Sequence, residues 1–166
     1  MWSKRFSRTV ATVAGIALAA CSDAPTTGDL PQVTSAHFVQ APAGLGEAMQ
    51  VACADPGDEI HSPVPGVIQC RMLLEPAATA NAILAYDGII ETLPRLVISL
   101  ARTGASDGEV VTSCAFLMVP QRDGRVQRVL HDDRRIEQKL RGMLARLGGT
   151  PMTTPPGDAV DACLTT

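Results

Sequence analysis

The apolar positions of this chain change period several times along its length. The sharpest signal lies towards the C-terminal end, where Ile136, Leu140, Met143, Leu144 and Leu147 recur at offsets of 0, 4, 7, 8 and 11 residues. That is one apolar stripe at the helical period. Asp132 or Asp133 stands where a cap is needed, Arg146 lies in the last turn, and Gly148-Gly149 follows. These are start and stop signals, so a helix is expected from about residue 134 to residue 147. Arg135, Lys139, Gly142 and Arg146 fall on its opposite, polar face.

The segments before it read as strands. Residues 109–119 (EVVTSCAFLMV) are apolar on both alternating faces from Cys114 onward, as a central strand requires. Arg122-Asp123-Gly124-Arg125 then interrupts, and residues 126–130 return. Asp-Gly between two such runs predicts a hairpin, because its tight turn needs positive φ. Residues 95–102 and 67–74 also read as strands, and residues 55–65 as a loop. Residues 46–54 suit a short helix that places Met49 and Cys53 on one face. Residues 77–86 are Ala-rich and follow Glu75-Pro76, which favours a helix with proline in its first turn. A hairpin turning on Asp87-Gly88, with strands 82–86 and 89–93, is the alternative. The expected fold class is α+β: an antiparallel sheet of three or four strands, packed against the C-terminal amphipathic helix and at least one further helix.

The N-terminus has a different logic. Lys4, Arg5 and Arg8 precede an apolar, small-residue run over residues 10–20. This run is shorter than the ~20 residues needed to span a bilayer, and it reads as an export signal. It closes with Leu18-Ala19-Ala20-Cys21, which resembles the lipobox of bacterial lipoproteins at every position. The resemblance implies cleavage before Cys21 and lipidation of its thiol, with more than one acyl chain for stable anchoring. Ser22 rather than Asp follows the cysteine; in that family this implies sorting to the outer membrane. The expected layout is a cleaved signal over residues 1–20, a tether over 21–35, one α+β domain over 36–148 and an irregular tail over 149–166.

Charge and composition narrow the function. Beyond the signal there are 11 Lys and Arg against 17 Asp and Glu, which argues against nucleic acid as a partner. Only Phe38, Tyr86 and Phe116 are aromatic in that part, too few for stacking platforms. The charge is uneven. Residues 21–119 carry 3 basic and 11 acidic side chains, whereas residues 120–147 carry 8 basic and 4 acidic. That basic segment is a solvated helix and turn, or a face for lipid phosphates or an acidic partner.

With Cys21 assigned to lipid, Cys53, Cys70, Cys114 and Cys163 remain. An even set in an oxidising compartment predicts two disulfides. Of the three possible pairings, 53–70 with 114–163 is favoured: the first closes a local loop, and the second ties down a tail with little other reason to be ordered. No CxxC spacing is present, so neither a redox motif nor a zinc site is expected. Asp55, Asp58, Glu59 and His61 are the densest group of possible ligands, but they lack the pattern of a calcium loop. His131-Asp132-Asp133 is able to orient a general base, yet it coincides with a helix start where Asp already serves as a cap. No nucleophile elbow or phosphate-binding glycine pattern occurs.

The expectation is therefore a non-catalytic envelope lipoprotein without metal or cofactor. It would be lipid-anchored facing the periplasm and would act as an accessory or protein-binding domain. The alternative is a module binding a small ligand, an envelope polymer or anionic lipid through Arg135, Lys139 and Arg146; a hydrolase is the least favoured reading.

Overall fold

The computed structural model describes residues 33–165, which form a seven-stranded antiparallel sheet and four helices. In chain order these are β1 (Val33–Phe38), α1 (Leu45–Ala52), β2 (Glu59–His61), β3 (Val67–Leu73), α2 (Pro76–Ala85), β4 (Arg95–Ala105), β5 (Gly108–Pro120), β6 (Val126–Leu130), α3 (Arg134–Arg146), β7 (Thr150–Pro151) and α4 (Gly157–Cys163). The readings of residues 1–32, Cys21 included, lie outside the described residues.

The sheet is organised around β5. Its residues Val110 to Ala115 alternate faces and are nonetheless all buried, so both sides of this strand must be covered. One edge of β5 pairs with β4 over its whole length, from Arg95↔Met118 to Ala105↔Gly108. The other edge is shared. β1 takes Glu109 to Cys114, and β6 takes Phe116 to Pro120. The remaining order runs β2-β3-β4-β5-β1-β7.

Strand alternation sends two different sets of side chains to the two faces. The first face is apolar: Ala36, Phe38, Cys70, Ile98, Leu100, Val111 and Ala115 lie under Leu45 and Met49 of α1 and Leu140 and Leu144 of α3. Fully burying a Leu, Met or Phe stabilises by roughly 1.5–3 kcal/mol, which makes α3 the principal cover. Its stripe is the one legible in the sequence. The helix end is fixed by Gly149, where an added Cβ would stand 2.5 Å from Phe38 Cζ and 2.8 Å from Ala36 Cβ.

The second face is mixed. Val67, Val97, Ala101, Cys114 and Phe116 form its apolar part with Cys163 of α4. Between them Ser35, Gln69, Ser99 and Thr112 are buried as well. Ser35 and Thr112 share a hydroxyl hydrogen bond of 2.9 Å, and Gln69 Nε2 donates to the Thr165 carbonyl at 2.6 Å. A buried amide needs such a partner, so the C-terminal segment completes this face.

Two disulfides are present, Cys53–Cys70 and Cys114–Cys163, with Cα–Cα distances of 5.6 and 6.2 Å. The first joins the end of α1 to β3 on the first face; the second joins α4 to β5 on the other. Both are of the kind that an oxidising, extracytoplasmic compartment permits.

Several expectations need correction. The sheet has seven strands rather than three or four, because β1, β2 and β7 also pair. β1 begins at Val33, inside the span expected to be tether (21–35) and ahead of the expected domain start at 36; its pairing with β5 extends to Cys114. Glu59–His61 lies within the span expected to be loop, yet it pairs with Gln69 to Arg71. The tail over 149–166 is not irregular: Thr150 and Pro151 pair with β1, and α4 follows. The helix expected over residues 77–86 is present as Pro76–Ala85, and the alternative hairpin on Asp87-Gly88 is not formed. Gly88 instead forms a single bridge to Gln121.

Replacing each cystine by two alanines should lower stability by about 3 kcal/mol for the 17-residue loop and about 4 kcal/mol for the 49-residue loop on the chain-entropy scale. Urea midpoints of the two double variants check the order. Equal losses, or a larger loss for Cys53–Cys70, would contradict it. Gly149→Ala should destabilise by about 1–3 kcal/mol through overpacking against Phe38, read in the same titration.

Candidate functional site

The residues with chemical potential are dispersed over the described fold. One set of three potential metal ligands converges among the described residues: Cys53, Asp58 and Cys70, whose ligand atoms lie within 4.8 Å of one another. The two sulfurs are bonded to each other, which leaves one carboxylate and no thiolate to bind a cation. Asp55, Glu59 and His61 do not join this set. The Asp58 amide donates to Asp55 O in a turn. Glu59 pairs with Arg95 at 3.2 Å, and Arg95 also donates to the Gly57 carbonyl at 2.9 Å. These contacts fasten the loop before β2 onto the sheet. Arg71 lies alongside. Burial pulls its guanidinium below the ordinary value, while Glu59 opposes this and Arg95 adds to it.

His131-Asp132-Asp133 is a helix start. Asp133 caps α3, its carboxylate accepting from the Arg135 amide at 2.7 Å. That backbone hydrogen bond is the main reason its pKa lies below the usual carboxylate value. The His131 amide donates to Ala115 O and so fixes the approach to the helix. His37 meets Asp107 at 3.1 Å near the β4–β5 turn, where Asp107 is largely exposed. Arg102 and Glu109 form a two-point pair at 2.9 and 2.8 Å; hydrogen bonding to Arg102 holds the Glu109 carboxyl low. These contacts tie adjacent strands and turns together at the surface.

Two surfaces stand out as unpartnered among the described residues. The first is α2 with the loop after it. This ten-residue helix contains no charged side chain, and only Ala82 is buried. Leu84 is 80% exposed, and Ile90 and Leu93 of the loop are 71% and 47% exposed. A groove of about 510 Å³ opens beside them, lined by Ile83, Leu84, Asp87, Gly88, Gln121 and neighbouring hairpin residues. Gly88 lets the chain pass close to Val119, and Gln121 Nε2 donates to Tyr86 O at 2.9 Å, so the groove floor is fixed. Sequence reading missed this surface. Its signal was the uncharged run of residues 76–86, which has apolar character without the strong periodicity of a helix that buries one side. A second groove, of about 670 Å³, lies between the start of α1 and residues 62–68.

The second surface is the outer face of α3. Arg135, Lys139 and Arg146, singled out from the sequence, are all exposed there. Arg141 is turned to the border of the face by its ion pair with Glu137.

No family model, curated protein or solved structure matches this chain.

The cap gives a pH test with a defined sign. A carboxylate held below its unfolded value contributes stability above the unfolded pKa, and that contribution is lost as pH falls through the folded value. The native protein should therefore lose part of its α3 stability on acidification below the ordinary carboxylate range. Asp133→Asn, which keeps an acceptor, should flatten that dependence. Amide exchange of the first turn of α3 against pH measures it; an unchanged acid profile in Asp133→Asn would remove Asp133 as its source.

Proposed function

We propose that this protein is a lipid-tethered, extracytoplasmic domain that works without catalysis by docking a protein partner on α2 and its following loop. The observation that carries the reading is the exposed, uncharged α2 surface. A helix without charged side chains ordinarily buries its large apolar residues; here Leu84 of α2 stays in water, as do Ile90 and Leu93 of the loop after it. Exposed large apolar side chains of this sort, with Leu84 lining a groove, support an interaction site. Side chains that are already exposed at Leu84 and Ile90 cost the free protein little to cover. The neighbouring Asp87, Arg122 and Asp123 supply a polar rim, the usual surround of a protein interface.

Two further features support the setting. The lipobox-like Leu18-Ala19-Ala20-Cys21 supplies an anchor residue, and the disulfides fit an oxidising compartment. The four cysteines after Cys21 are all consumed in those bonds, which leaves Cys21 as the one thiol for lipid. An outer-membrane anchor facing the periplasm is the placement this implies.

A photo-crosslinking residue at position 84 in the full chain, expressed in intact envelopes, should give one discrete protein adduct. The same residue at position 138 on α3 should not. Ile90→Asp should abolish the adduct at 84 while changing the free energy of unfolding by no more than about 0.5 kcal/mol, since the site is exposed. Adducts of equal yield at both positions would contradict a docking surface on α2, and an adduct of twice the chain's own mass would make the partner a second copy.

The anchor is tested separately. Cys21→Ala should leave uncleaved precursor and eliminate the lipid-modified band. Processing at residue 21 with membrane retention in that variant would refute lipidation.

A further inference from the structure

The outer face of α3 has a property that protein docking on α2 does not use. Placed at 100° per residue, Arg134, Arg135, Gln138, Lys139, Gly142, Ala145 and Arg146 occupy one arc opposite the buried Leu140 and Leu144. All of them except Gly142, which is half-buried, are exposed. The arc holds four cations and no acid. Glu137, the helix's one carboxylate, lies outside it towards the buried side and is paired with Arg141. Asp133 at the N-terminal end is engaged in the cap.

Gly142 sits near the middle of this arc. It costs ~1 kcal/mol relative to Ala in a helix interior, yet packing does not demand it: an added Cβ would meet only Arg146 Nη1, at 3.6 Å. Gly142 near the arc's middle and Ala145 towards its Arg134 side are small, and Gln138 is the one long uncharged side chain among the four cations.

The fold also fixes where this face lies relative to the chain's N-terminal side. Val33 pairs with Cys114, and the His131 amide bonds to the neighbouring Ala115 carbonyl. The start of β1 and the approach to α3 are therefore adjacent on β5. α3 then packs along β1 and ends beside Phe38 through Gly149. Eleven residues, 22–32, separate Cys21 from Val33, a contour of at most about 40 Å. If Cys21 carries lipid, the start of β1 is held within that distance of the bilayer, and the N-terminal end of the cationic face lies nearest the point of attachment.

We infer that the outer face of α3 docks on the anionic lipid headgroups of the membrane in which the protein is anchored. This rests on the tether reading given above. Recognition is by charge and flatness rather than by a shaped pocket, as a cationic helix face on an anionic surface requires. Each cation near such a surface is worth about a fivefold change in the bound population.

The test uses the full lipid-modified chain in vesicles of phosphatidylethanolamine with 30% phosphatidylglycerol, and in phosphatidylcholine alone. A fluorophore at position 138 reports contact with a headgroup-attached quencher, and flotation with the vesicles reports the anchor. Quenching should occur in the anionic vesicles, fall as salt is raised, and be absent in phosphatidylcholine. The combined variant Arg135→Glu, Lys139→Glu and Arg146→Glu should float normally and lose the quenched population by at least about a hundredfold, since three cations are lost and three acids added. Arg135→Lys with Arg146→Lys should retain it, because charge and not fork geometry is read.

Normal flotation with no quenching in anionic vesicles, or quenching that survives charge reversal, overturns the docking while leaving the anchor intact. Failure to float at all overturns the tether and this inference together.

Discussion

Everything in this fold hangs on β5 having two partners along one edge. Its thirteen residues are too long for β1 or β6 alone. β1 covers the first half, β6 the second, and β4 runs opposite from Gly108 to Met118. Because Val110 to Ala115 are buried on both faces, helices must cover the sheet above and below. α3 and α1 do so on one side and α4 on the other. The junction between β1 and β6 is also where the chain turns out of the sheet into α3. The position of that helix thus follows from the division of the β5 edge.

The two covers are built differently. The first face uses aliphatic burial and the amphipathic α3, with Cys53–Cys70 fastening α1 to β3. The second combines a short helix with a polar floor of Gln69, Ser99, Thr112 and Ser35, and Cys114–Cys163 fastens α4 to β5. With two phenylalanines and one tyrosine outside the signal segment, large aromatic side chains contribute little area. A crosslink on each face compensates by limiting the freedom of the unfolded chain. This explains why a seven-residue helix, too short to be stable alone, persists at residues 157–163.

What was legible in the sequence follows the strength of local periodicity. α3, β3, β4, β5 and the β5–β6 hairpin are written in their own residues: an apolar stripe, buried runs, or an Asp-Gly turn. Both disulfide pairings followed from loop length and from the need to order the tail. β1, β2 and β7 were not legible. Val-Thr-Ser-Ala-His-Phe becomes a strand because the edge of β5 is vacant beside it, and Thr150-Pro151 because β1 then presents its own edge. Such pairing is set by distant partners, which no local pattern contains. The cationic residues of α3 stood out both as the polar face of an amphipathic helix and as a local charge imbalance. The α2 surface did not, because an exposed Leu84 or Ile90 looks in sequence like a core residue.

The bond from Cys114 to Cys163 has a temporal consequence. A polypeptide is made, and passed through any narrow pore, from its N-terminus onward. Here the central strand acquires its second cover only after residue 163 has arrived, and Gln69 finds its carbonyl only at Thr165. The cover of this face therefore comes late, after residues 33–151 have already supplied every strand of the sheet. A polypeptide cut a dozen residues short would not be a smaller version of the same object. It would be a sheet with one side open and an unpaired sulfur at its centre, the kind of exposed surface by which quality-control proteases recognise unfinished protein.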